Sequence, residues 1–208
     1  MTTKEKILAT SLKLLNIEGF KAITIRHVAK EMGISHGNLG YHYQNMEVII
    51  NELYLSLVSK MNNEVNSLKI NNISLKLIYE TNLILFNNFN EFRFLFLDFV
   101  EICRAVPSIK EHYQNLIHKR EHEFLVVLEE LQKIEIIESR FNTQQLNQFV
   151  KTMFIAADFW LSSSEIIYQG KEEDKVEYYL NLVFSQLWPF LTKKGENDFL
   201  ELFGSNTK

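Results

Sequence analysis

Apolar residues recur at three- and four-residue spacing along nearly the whole chain, and nowhere do they alternate in a sustained period of two. The pattern predicts helices and no strands. A first helix over Lys4–Ile17 carries Ile7, Leu8, Leu12 and Leu15 on one side. Gly19 follows it, where a left-handed cap is expected. A second runs from a Thr24 cap to Met32, with Ile25, Val28, Ala29 and Met32 at i, i+3, i+4 and i+7. Ser35 caps a short third helix to about Tyr43. Asn45 caps a long fourth, which carries Ile49, Leu53, Leu57, Met61 and Val65. Asn and Ser residues between Asn71 and Ser74 break the pattern. A fifth helix then runs to about Asn90. A sixth covers Phe92 to Ala105 and stops before Pro107, whose ring disfavours helix at the preceding residue. A long amphipathic seventh runs from Ser108 to about Ile137, an eighth from Thr143 to Ser164, a ninth from about Glu173 to Leu191. A short tail helix is expected near Asp198.

Composition agrees with long helices, since 208 residues hold only seven Gly and two Pro. Hydrophobic residues make up 46% and charged ones 23%, a globular rather than a disordered balance. No apolar run reaches the length of a membrane span, and the N-terminus lacks the pattern of a signal peptide. The single Cys103 cannot form an intrachain disulfide. A cytoplasmic protein with no membrane partner and no cofactor is expected. The net charge of −4 is unevenly spread. Residues 1–50 hold six Lys/Arg against four Asp/Glu, with His27, His36 and His42 in addition, and the acidic excess lies in the remainder. A mildly basic head on an acidic body suits a small DNA-reading domain attached to a larger regulatory one.

The stretch that carries chemistry is Ile23 to Tyr43, ITIRHVAKEMGISHGNLGYHY. It reads as two short helices joined at Gly33, a helix-turn-helix. Ala29 supplies the small residue needed where the helices cross, and Gly33 tolerates the turn conformation. Ile34 and Leu39 anchor the second helix inward. Its outward set is Ser35, His36, Gly37, Asn38, Tyr41 and His42, small or hydrogen-bonding residues suited to phosphates and base edges in a major groove. Thr24 and Arg26 lie at the start of the preceding helix, where free N–H groups favour a phosphate. These eight residues are the candidate DNA contacts. No catalytic or metal-ligating residue is expected.

The first sixty or so residues resemble the DNA-binding domain of the tetracycline-repressor (TetR) family. The resemblance rests on Gly19-Phe20 after an amphipathic helix, Thr24 to Ala29 as Thr-x-x-x-(Ile/Val)-Ala, Met32-Gly33-Ile34-Ser35, and a closing Leu39 and Tyr43, without gaps. It implies an all-α fold: an N-terminal three-helix helix-turn-helix domain over 1–62 and a larger helical effector-binding and dimerisation domain over 63–208. It also implies a transcriptional regulator, a repressor, whose operator affinity is modulated by a small, largely apolar ligand. Two positions depart from the family pattern. Gly40 stands where the family carries a phosphate-contacting tyrosine, with Tyr41 beside it. Met46 stands where the family opens its fourth helix with a lysine. A lost phosphate contact predicts weaker, less salt-dependent binding.

The eighth and ninth helices are apolar on more than one side. The eighth carries Phe149, Val150, Met153, Phe154, Ala156, Ala157, Trp160 and Leu161. The ninth carries Val176, Leu180, Val183, Phe184, Leu187 and Leu191, widened by Tyr179, Leu182 and Trp188. Such helices are buried on two sides, either in a thick core or in a self-association surface. The resemblance implies a homodimer through 143–164 and 173–191, and a two-fold dimer expects a near-palindromic double-stranded operator. Asp98 and Asp158 lie in apolar surroundings, where each either marks a polar contact in an effector pocket or is an ordinary capped or exposed carboxylate.

Two rival readings remain. His118, Glu121 and His122 match an H-x-x-E-H zinc-peptidase pattern. The helix phase puts His118 about 140° and His122 about 180° from the centre of the apolar stripe, so both face solvent, whereas a catalytic zinc needs an enclosed site and a third ligand. The other rival is a helical adaptor that has lost DNA binding through Gly40 and Met46.

Overall fold

The computed structural model describes residues 1–67 and 73–203. Among them the helices are α1 Thr3–Glu18, α2 Ile25–Glu31, α3 His36–His42, α4 Met46–Ser67, α5 Leu75–Glu91 and α6 Arg93–Leu97. They continue with α7 Phe99–Ala105, α8 Pro107–Lys133, α9 Thr143–Ile167, α10 Lys175–Ser185 and α11 Lys193–Phe203. Short 3₁₀ turns occupy Glu172–Asp174 and Trp188–Phe190. No strand occurs among the described residues, only an isolated bridge between Ile137 and Leu191. Of the break expected between Asn71 and Ser74, Asn71 and Asn72 lie outside the described residues. Ser74 opens α5, its Oγ accepting from the Leu77 N–H at 3.2 Å.

The chain packs as two compact units, with the division falling inside α4, α5 and α8. The first unit joins Met1–Asn63 to Asn88–Gln114. Its core is built on Ile7, Leu15, Val28, Leu39, Ile49 and Ile50, each 1% exposed or less. This packing unit is larger than the 1–62 segment expected from the sequence, because Phe92, Phe94, Leu95, Ile102, Val106 and Ile109 join the same buried apolar core, and polar ties reinforce it. The Asn16 side chain donates to the Glu91 carbonyl at 2.8 Å and accepts from the Phe94 N–H at 3.1 Å. Asp98 Oδ2 accepts from the Phe20 N–H at 2.8 Å. Asp98 is therefore a tie to the α1–α2 loop rather than a pocket carboxylate. The helix expected over Phe92–Ala105 is interrupted at the same residue, giving α6 and α7.

The second unit joins Glu64–Asn87 to Asn115–Lys208. Aromatic rings pack against one another within its largely aliphatic core. Phe86 stacks on Trp160 with centroids 5.3 Å apart, Trp160 meets Tyr179 at 5.4 Å, and Phe184 contacts Tyr79 and Phe199. Lys175 is buried at the start of α10, where its ammonium pairs with Glu172 at 2.5 Å and reaches Glu165 at 3.8 Å.

Three helix ends differ from the expected ones. α8 stops at Lys133 rather than near Ile137. Glu135 takes φ +61°, which turns the chain and lets Ile136 and Ile137 return their N–H groups to the Leu131 carbonyl while both side chains are buried. α10 stops at Ser185 rather than Leu191. The ring of Pro189 conflicts with the carbonyl four residues earlier, which is that of Ser185, and Pro189 then sits inside a 3₁₀ turn. α9 runs on to Ile167, past the expected Ser164.

Candidate nucleic-acid interface

Local hydrogen bonds set the two helices of the expected motif. Thr24 caps α2: its Oγ1 accepts from the His27 N–H, and His27 Nδ1 accepts from the Thr24 N–H, both at 3.4 Å. Ser35 caps α3, its Oγ accepting from the Asn38 N–H at 3.1 Å. Between them, Gly33 adopts φ +66°. The Gly33 N–H returns to the Lys30 carbonyl and the Ile34 N–H to the Ala29 carbonyl, the paired closure of a Schellman end. A Cβ on Gly33 meets nothing within 4 Å, so glycine is required there by conformation and not by space.

The closure directs the side chains. Ala29 is 3% exposed at the crossing and Leu39 is fully buried on the inner face of α3. Tyr43, which ends α3, is also buried, and burial, with the nearby Glu52 charge, raises its hydroxyl above the ordinary tyrosine range. The outer face of α3 presents His36, Gly37 and Asn38, all exposed, and Tyr41 at 87% exposure. His42 is half-buried and meets the Tyr41 ring edge-on at 5.3 Å. Arg26 is exposed on the first turn of α2. Of the eight expected contact residues, Thr24 and Ser35 have their hydroxyls engaged as caps, and five of the others are exposed.

The two departing positions also have clear surroundings. Gly40 is half-buried, and a Cβ there meets nothing within 4 Å. Met46, the first residue of α4, is 9% exposed and belongs to the core of the first unit. Asn45 caps α4 through the Val48 N–H at 3.0 Å.

The zinc-like pattern on α8 does not converge on a site. The His118 side chain is 78% exposed, with Nδ1 3.8 Å from Glu121 Oε2, and His122 is exposed. Among the described residues no three His, Cys, Asp or Glu side chains are grouped to hold a metal.

On the second unit, the apolar residues named from the sequence divide into two sets. Phe149, Val150, Met153, Trp160 and Leu161 of α9 are buried within the protomer. The exposed apolar residues of α9 are Ile155 at 64%, Phe159 at 48%, Ile166 at 83% and Ile167 at 67%, and those of α10 are Tyr178 and Leu182 at about half exposure. The sequence pattern did not single out Ile155 and Tyr178, which stand beside residues that fill the core, nor Ile166 and Ile167, which lie beyond the helix end expected at Ser164.

Comparison with known proteins settles the class. Residues 7–53 match the pattern of bacterial regulatory proteins of the tetR family, and residues 57–199, more than half of the chain, match that of a TetR bacterial transcriptional repressor. The chain belongs to the TetR family of transcriptional regulators. Its N-terminal helix-turn-helix and its helical remainder are the family's arrangement. The chain is similar to the uncharacterized HTH-type transcriptional regulator YerO of Bacillus subtilis, at 38% identity over 64 residues. That match covers 29% of this chain and 22% of the relative, so the chain spans about a fifth of that protein's length. The fold also matches a TetR-family regulator of Marinobacter aquaeolei VT8, with a TM-score of 0.88 and 21% identity over 99% of this chain and 98% of that one. A second match is the ketosteroid transcriptional regulator KstR2 of Mycobacterium tuberculosis, with a TM-score of 0.66 and 14% identity over 92% and 96%. No helix among the described residues is long and apolar enough to cross a membrane.

Proposed function

We propose that this TetR-family chain reads double-stranded DNA through the outer face of α3, acting as a cytoplasmic homodimer on a near-palindromic operator. The observation that carries the reading is the division of α3 itself. Leu39 is fully buried while His36, Gly37, Asn38 and Tyr41 stand in solvent, on a helix whose approach is fixed by the Gly33 closure. In this reading Asn38, His36 and Tyr41 face base edges and phosphates, and Gly37 lets the backbone come close. Arg26 and the first turn of α2 hold a phosphate, with His42 at the rim. Thr24 and Ser35 act as caps that place these groups. The DNA-reading domain is 1–62, and 63–208 is the effector-binding and dimerisation domain.

Self-association uses the outward faces of α9 and α10. Ile155, Phe159, Ile166, Tyr178 and Leu182 form an exposed apolar set on these two helices, which is costly to leave in water. A small, largely apolar ligand in the aromatic second unit lowers operator affinity, by as much as it favours the released state over the bound one. The chain acts by binding and not by catalysis.

The test is retention on DNA at low salt. Wild type is retained and is released as salt rises, and a variant carrying Tyr41→Ala and His42→Ala loses retention while keeping its helix content. A wild type that passes through unretained refutes the reading and leaves the adaptor alternative.

A further inference from the structure

Duplex DNA presents a dense row of phosphates, and cationic side chains supply most of the affinity for them. The reading face of α3 carries no lysine or arginine; its residues are His36, Gly37, Asn38, Gly40, Tyr41 and His42. The start of α4 adds none. Asn45 is engaged as a cap, Met46 is buried, and Glu47 is exposed and acidic. Among the lysines of the first helix and its loop, Lys13 pairs with Glu31 and Lys21 with Glu101. Lys4 is placed differently. It is exposed, and its Nζ lies 5.9 Å from the centroid of the Tyr43 ring, the residue that closes α3. An aromatic ring holds an ammonium without neutralising it, whereas a carboxylate partner cancels its charge. The backbone under Lys4 is fixed as well. Thr2 and Glu5 form a reciprocal capping box around it, and Ile7, one turn on, is fully buried.

We propose that Lys4, held over the Tyr43 ring, is a DNA-phosphate contact of each reading head. It brings to the C-terminal end of α3 the positive charge that α3 and the start of α4 lack. The inference rests on the DNA-reading function proposed above. A phosphate contact carries no sequence information, so its loss weakens binding to any duplex.

The experiment uses the full chain and random-sequence duplex DNA, with affinity measured across a salt series. Lys4→Gln lowers the steepness of log K against log salt by about 0.9 for each head engaged, Lys4→Arg keeps it, and the thermal midpoint of both variants stays at the wild-type value. Lys6→Gln, an exposed lysine of the same turn, keeps the wild-type slope. An unchanged slope for Lys4→Gln, on a wild type that does bind DNA, overturns this proposal alone. An equal loss for Lys6→Gln also overturns it, because general charge then explains the effect. A wild type with no affinity for duplex DNA at low salt overturns the DNA reading beneath it and this proposal with it.

Discussion

Replacing Asp98 by alanine removes the acceptor of the Phe20 N–H and nothing else that the helix ends need. The Oδ2–N distance is 2.8 Å in a half-buried setting, and the Asp98 side chain makes no cap bond to α7. A hydrogen bond to a charged group contributes roughly 1.5–3 kcal/mol, and leaving the amide unpaired is the main cost of its loss. Partial exposure lets water recover some of this, so the expected destabilisation is about 2 kcal/mol. For a chain of this size that corresponds to a fall in thermal midpoint of roughly 4–8 °C. Asp98→Asn retains an oxygen acceptor but not the charge, so it costs roughly 1 kcal/mol. Urea unfolding at one fixed protein concentration measures both, since the stability of an associating chain depends on concentration. The order expected is wild type, then Asp98→Asn, then Asp98→Ala. An alanine variant within about 0.5 kcal/mol of wild type, the range of an ordinary surface change, contradicts a structural role for this bond. So does an asparagine variant that loses more than the alanine one.

Gly37→Ala and Gly40→Ala each place a methyl in open space on α3, so each stabilises the chain by roughly 0.5–1 kcal/mol in thermal or urea unfolding. Gly37→Ala weakens DNA binding at the same time, and a variant that gains stability with no loss of DNA affinity contradicts close backbone approach at Gly37. Changing Phe159 and Ile166 together to Glu converts the dimer to a folded monomer in sedimentation. A persistent dimer places self-association elsewhere. Tyr54 is buried, its Oη 2.8 Å from His112 Nδ1, and burial pushes its hydroxyl from the ordinary 10.0 up to about 12. The folded state therefore keeps this proton where the unfolded chain loses it. The stability it contributes is full below pH 10.0 and is lost as pH rises toward about 12. Urea unfolding across that window shows a decline in wild type and a shallower one in Tyr54→Phe. Equal slopes contradict the assignment.

The helix-turn-helix was legible because local chemistry writes it. Thr24 and Ser35 cap as their positions suggest, Gly33 takes the left-handed turn, and α1 falls within a residue of its expected ends at Thr3 and Glu18. The split at Asp98 was not legible, because it accompanies a bond to Phe20, 78 residues away. The end of α8 depends on Glu135, an ordinary helix former held at positive φ where the following Ile136 and Ile137 are buried. The end of α10 did have a signal, since Pro189 forbids the helical carbonyl of Ser185. On the outer faces of α9 and α10, residue type alone could not separate core from surface. Trp160 and Phe159 are neighbours in sequence, yet they are 2% and 48% exposed. The exposed side of α3 was easier to read, because the helix is short and Leu39 is its one buried residue.

If the outer face of α3 reads DNA sequence, the duplexes the chain selects depend on its side chains. Selection of bound duplexes from a random pool by the wild-type chain tests it most directly, with the Tyr41→Ala, His42→Ala variant run in parallel. The expected outcome is enrichment of a near-palindrome with half-sites one helical turn or a multiple apart, and loss of that enrichment in the variant. A wild type that enriches no sequence, or a variant that enriches the same one as strongly, contradicts it.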